Sequence, residues 1–147
     1  MEQKKYFTLA EANALIPSLE FKLPKLLQIK QELTVLVTQL VRKGIKVEEL
    51  FAMTELDDDL VQAKARLESL GSTLQEYLMD IQSQGLVVKD MDLGLIDFLG
   101  KMGEEDVYFC WQLGEKEVRY WHKLDEGYSQ RHSFGEDEES PVDRMLH

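Results

Sequence analysis

The sequence has little cysteine, no long apolar run and a deficit of basic charge. Its one thiol, Cys110, among 147 residues excludes an internal disulfide and cannot by itself build a cysteine-rich zinc site. No uninterrupted apolar segment approaches the roughly 20 residues that cross a bilayer. The opening "MEQKKYFTLAEAN" has no hydrophobic segment after its basic residues, so no secretory signal is expected there. Seventeen Lys and Arg against 28 Asp and Glu give a net charge of −11, which argues against nucleic acid, since phosphate neutralisation needs a basic surface. Glycine-rich phosphate loops, zinc-protease helices and nucleophile elbows are missing too. Together these absences predict a cytoplasmic protein with neither a membrane nor a nucleic-acid partner.

What is there is an ordinary apolar fraction of 44% in a chain the size of one domain, enough to bury a core. The charge is unevenly spread, with a net +4 over residues 1–47, −11 over 48–106 and −4 over 107–147. A basic segment followed by an acidic one suits two elements lying against each other.

"FTLAEA" starts a helix. Thr8 and Glu11 have the spacing of a capping box, with Phe7 placed to pack on the first turn. Pro17 cannot donate a backbone hydrogen bond and biases Ile16 away from the helical region, which predicts a short helix over 9–15 and then a restart. Leu26, Ile29, Leu33, Leu36 and Leu40 step by three and four to Gly44, with Pro24 expected to kink this second helix. Met53, Leu56, Leu60, Ala63, Leu67, Leu70, Leu74, Tyr77 and Ile81 continue the same alternation as a coiled-coil-like seam, and Gly85 is the natural C-cap.

Beyond Gly85 the period falls to two. "LVVK" (86–89), "LIDF" (95–98), "VYFCWQL" (107–113) and "EVRYWH" (117–122) are short, β-branched and aromatic, and turn residues separate them. The expected fold is α+β: a long antiparallel helical hairpin with a short N-terminal helix, packed on a small antiparallel β-meander of three or four strands. One domain is expected over 1–134, helical over 8–85 and sheet over 86–125. An acidic, disordered tail is expected over 135–147. An even loop around Gly114 and Glu115 sets Val107, Phe109, Trp111 and Leu113 on one face with Val118, Tyr120 and His122. It sets Tyr108, Cys110 and Gln112 on the other, with Arg119 and Trp121. His122 and Cys110 then point to opposite sides, and only an odd loop would bring them together.

Taken with "YFTLAEANALIP" and "GLVVKDMDLGLIDF", the closing "VYFCWQLGEKEVRYWHKLDEGYSQR" resembles a bacterial family of unknown function, the one numbered 2203. The resemblance runs over residues 6 to 131 and is most specific in the C-terminal half. It implies the same helix-then-sheet order and a bacterial cytoplasmic setting, and it brings no activity with it.

The densest chemistry lies in "YWHKLDEGYSQRH". Imidazole beside carboxylate suits Zn²⁺ or Fe²⁺, or a general base held by an acid. His122 and Asp125 converge only if the chain bends after the strand; otherwise His122 caps the apolar face and Asp125 fixes the turn. Asp90, Asp92 and Asp97 offer hard-cation donors, but no calcium-loop spacing supports them, and aspartates initiate turns in their own right. Cys110, between Phe109 and Trp111, reads as an inert thiol.

Two functions follow. The leading one is a non-catalytic interaction or scaffold module, working through the hairpin and a Tyr108, Arg119 and Trp121 face on a protein partner or on a second copy of the chain as a homodimer. The other is a metal-binding protein or metal-dependent hydrolase. It would hold a divalent ion through His122 and Asp125, with Asp90, Asp92, Asp97 or His132 completing the set. The first is favoured because no candidate set reaches three ligands at a defensible spacing.

Overall fold

The computed structural model describes residues 4–134; the expected acidic tail lies outside them. Thr8 accepts from Glu11 N at 3.0 Å and its own N–H donates to Glu11 Oε1 at 2.9 Å. This closes the capping box of helix α1, Leu9–Ala14. Helix α2, Ile16–Arg42, begins with Pro17 in its first turn and continues through Pro24. A short helix α3, Val47–Ala52, precedes α4, Asp58–Ser83.

The seam expected from Met53 therefore starts later. Met53 is extended backbone at the end of α3, and Asp57 Oδ1 accepts from Leu60 N at 2.9 Å as the cap of α4. Asp58 and Asp59 then stand in the first turn, where negative charge is favoured. No helix among the described residues is long and apolar enough to cross a membrane.

The described residues fold as two compact units, one made of 4–23 with 81–134, the other Pro24–Asp80. In the second unit α2 and α4 form an antiparallel hairpin. Leu40, Leu50 and Leu67 are its buried centre, with Leu33, Leu36, Val37, Leu60 and Ala63 half-buried against them.

The first unit carries a five-stranded antiparallel meander in chain order: β1 (Val87–Asp90), β2 (Leu95–Met102), β3 (Glu105–Gln112), β4 (Tyr120–Lys123) and β5 (His132–Ser133). A single turn of 3-10 helix, Tyr128–Gln130, precedes β5. The strand count exceeds the expected three or four because β5 is only two residues long, too short to leave a sequence pattern. "LGKMGEED", expected as a turn, instead extends β2 and β3. Met102 pairs with Glu105, so only Gly103 and Glu104 are needed to reverse the chain, with Gly103 at φ +63°.

The register separates two faces. Ile96, Phe98 and Gly100 of β2 lie opposite Trp111, Phe109 and Val107 of β3, and all six are buried. Phe7 stands edge-on to Phe98 at 5.5 Å and donates its N–H to Leu99 O at 2.7 Å. Asn13 of α1 accepts from Val118 N at 2.7 Å. This apolar face is the core of the unit, and the other face carries Asp97, Cys110 and His122.

Candidate metal centre

The β3–β4 register corrects the expected faces. Cys110 pairs with Tyr120, Phe109 with Trp121 and Tyr108 with His122, so residues of equal parity are opposed and the connection is odd. His122 therefore shares a face with Cys110 and Tyr108, whereas Trp121 lies opposite Phe109 on the other. The β2–β3 register adds Asp97, directly opposite Cys110. Three neighbouring strands thus each place one chemically active side chain on the same face.

These three are buried, whereas Asp90 and Tyr108 beside them are half-buried and Lys89 and Tyr128 exposed. Asp97 and His122 are the only buried polar or charged residues among those described, at 0% and 2% exposure. One donor atom from each of Asp97, Cys110 and His122 lies within 4.8 Å of the others. They floor a cleft of about 250 Å³ whose walls include Lys89, Asp90, Leu95 and Tyr128.

The hydrogen bonds define what the ring of His122 offers. Its Nδ1 lies 2.8 Å from Lys123 O. A carbonyl only accepts, so Nδ1 carries the hydrogen and the neutral ring keeps its lone pair on Nε2. Nε2 lies 3.1 Å from Asp97 Oδ2. A lone pair and a carboxylate oxygen at that distance need a positive species between them, either a proton or a metal ion. Asp97 Oδ1 is buried with no hydrogen-bond partner at bonding geometry, and besides His122 only the weakly donating Cys110 thiol, among the described residues, approaches the carboxyl as a donor, an expensive condition for a carboxylate oxygen. Burial pushes the Asp97 carboxyl above its usual range, opposed by the His122 ring.

A thiol-nucleophile triad does not fit. Both ring nitrogens of His122 are engaged, one with backbone and one with Asp97, leaving neither as a base for sulfur. The Cys110 thiol is pushed up to about 12, first by burial and then by the Asp97 charge. It is inert as a thiol and becomes a ligand only when a cation displaces its proton.

The other candidate residues are dispersed. Asp90 reaches the cleft wall, but its Oδ1 accepts from Leu93 N at 3.0 Å and shapes the turn before β2. Asp92 and Asp125 are exposed in turns. His132 sits apart, with Nε2 3.0 Å from Glu126 Oε1 and its ring tilted against Trp121 at 4.5 Å. The expected Tyr108, Arg119 and Trp121 face is split: Tyr108 opposes His122, Trp121 opposes Phe109, and exposed Arg119 pairs with Glu117 at 3.2 Å. Cys110 is the candidate donor that the sequence alone sets aside as inert, and the parity of one loop is the signal that finds it.

The family model described as "Uncharacterized conserved protein (DUF2203)" matches residues 5–134. The chain belongs to that family. The match contains both units and all three convergent side chains, and the family's description carries no activity. No curated protein and no solved structure matches the chain.

Proposed function

We propose that this DUF2203 protein binds one divalent transition-metal ion through Asp97, Cys110 and His122. The observation that carries the reading is the Nε2 lone pair of His122 aimed at a buried carboxylate that has a second, unpartnered oxygen. The backbone carbonyl of Lys123 holds the imidazole in the metal-binding tautomer, the usual outer partner of a ligating histidine. Sulfur with nitrogen favours zinc or iron over calcium or magnesium. Zinc bonds of about 2.0–2.3 Å at a tetrahedral angle set ligand atoms roughly 3.3–3.7 Å apart, so the His122 and Asp97 atoms at 3.1 Å already stand at about the spacing of two ligands on one ion.

Three protein donors leave the fourth position of a tetrahedral ion to water, and the cleft gives a small molecule access to it. That is the layout of hydrolytic zinc centres, and a metal-dependent hydrolase is the activity it suits. The test is elemental analysis of tag-free protein purified without chelator, beside His122→Ala. About one zinc or iron per chain, absent from the variant, supports the reading. A wild-type protein that stays empty after incubation with zinc refutes it.

A second reading, self-association, rests on the helical unit. Val35, Val41 and Val61 are half-exposed or more, and a groove of about 390 Å³ runs past Val35, Leu36 and Leu70. Residues 24–43 carry a net +3 and residues 58–83 a net −3, so a second copy laid antiparallel would set each basic helix on an acidic one, as in a four-helix bundle. Light scattering on the full chain should then report a dimer that Val35→Glu converts to monomer; a monomeric wild type at high concentration removes this reading.

A further inference from the structure

Arg131 lies outside the metal-ligating set and shows an arrangement that the fold alone does not require. Its guanidinium carbon lies 4.0 Å from the Tyr120 ring and 4.2 Å from the Tyr128 ring. Nη1 meets both carboxylate oxygens of Glu115 at 3.3 and 3.4 Å, and the side chain is only 13% exposed. The same Nη1 lies 4.0 Å from Cys110 Sγ. A neutral thiol gives a buried cation almost nothing in return, whereas a thiolate accepts a charge-assisted hydrogen bond from it.

Resting on the metal-binding reading, we infer that Arg131 is the positioning residue of the Cys110 thiolate, donating to sulfur once an ion is bound. The charges are consistent with this. A divalent ion with Asp97 and Cys110 thiolate is neutral, and Arg131 with Glu115 is neutral. The guanidinium can therefore share itself between Glu115 and sulfur without stranding a charge in the interior. The two tyrosine rings fix its plane, so the donor is held in place before the metal arrives. Glu115 is fixed in turn, since its Oε1 accepts from Gln112 N at 2.6 Å. Glu115 and sulfur draw on the two N–H bonds of the one nitrogen Nη1, so a guanidinium drawn towards the carboxylate is held away from sulfur and the two compete for its position.

That competition separates an electronic role from a merely structural one. Full-length protein is loaded with cobalt(II), and the sulfur-to-cobalt charge-transfer band is read in wild type, Arg131→Gln, Arg131→Lys and Glu115→Gln. Zinc affinity is measured by chelator competition on the same samples. A hydrogen bond to thiolate stabilises the sulfur lone pair and raises the energy of that band.

Arg131→Gln should move the band to lower energy and weaken zinc on the order of ten-fold, the scale of outer-shell losses. Arg131→Lys should fall between that variant and wild type. Glu115→Gln frees the guanidinium for sulfur and should move the band to higher energy. Loss of the structural Arg131–Glu115 pair alone would shift both variants alike, and that outcome overturns the inference. So does an unchanged band and affinity in Arg131→Gln. If Arg131→Gln fails to fold by circular dichroism, Glu115→Gln decides, and an unshifted or lower-energy band there overturns the inference. A wild type that takes up no cobalt refutes the metal reading itself, whereas a loaded wild type indifferent to these variants removes only the role of Arg131.

Discussion

His122 Nε2 and Asp97 Oδ2 meet 3.1 Å apart in the interior of a sheet, from residues 25 positions apart in the chain. Neither is on an adjacent strand to the other, since β3 lies between β2 and β4. The pair is brought together across Cys110, the cross-strand partner of Asp97, and Tyr108, the cross-strand partner of His122. A buried carboxylate, a buried imidazole and a buried thiol on three successive strands are costly to assemble. The cost is met by placing a shared cation among them, whether that cation is a proton or a metal ion.

In the metal-free protein a proton is the cation that can bridge the pair, and Asp97→Asn tests whether the carboxyl carries it. Burial raises the carboxyl above its ordinary 3.8, so between 3.8 and the raised value the folded chain holds a proton that the unfolded chain releases. The associated stability is complete below 3.8 and is lost as pH rises through the raised value. An asparagine amide donates to Nε2 as the protonated acid does, and it never ionises. Chelator-treated Asp97→Asn should therefore unfold at the same or higher denaturant concentration than wild type at neutral pH, and the untreated variant should take up less zinc than untreated wild type. A destabilisation of about 3–5 kcal/mol would instead identify an ionised pair broken by the substitution.

Cys110 sets the alkaline limit. Its thiol is raised from 9.0 to about 12, with burial the largest cause and the Asp97 charge next. The unfolded chain loses that proton first, so the thiol's contribution is whole below 9.0 and declines as pH rises towards about 12. Each unit in this window removes about 1.4 kcal/mol. Denaturant midpoints on either side of pH 9.0 should fall more steeply in the chelator-treated wild type than in Cys110→Ala, where the tyrosine background persists. Equal slopes would mean the thiol is not shielded as the structure shows.

Local signals carried most of the architecture. Thr8 and Glu11, Gly44 and Gly85 punctuate the helices with side chains and backbone angles that act within a few residues, so their effect is visible in the sequence. The change of period at Leu86 is equally local. The site was not legible because it depends on the parity of one connection. Between Gln112 and Tyr120 the chain contains Gly114 at φ +107°, and Trp111 Nε1 and Gln112 N are both satisfied by Glu115. Those bonds settle whether His122 faces Cys110 or turns away, and no alternation of apolar residues encodes them. Asp97 is recognisable as a donor in the sequence, yet its partners lie on strands that pair only in the folded chain.

The two faces also predict where the sheet is least tolerant. Gly100 lies opposite Val107 on the apolar face, and a Cβ placed on it would stand 2.4 Å from two atoms of the Phe109 ring. Phe109 is fully buried and has Phe134 edge-on at 5.9 Å, so its ring has no free space to enter. A single added methyl must therefore displace an aromatic side chain or the strand carrying it. Gly100→Ala should destabilise the protein by about 1–3 kcal/mol, the cost of overpacking a close-packed core. Because β3 carries Phe109 on one face and Cys110 on the other, a displaced strand also moves the thiol. Zinc affinity should fall in Gly100→Ala although the residue faces away from the cleft. A variant with wild-type stability and affinity would show that the ring has room that this register denies it.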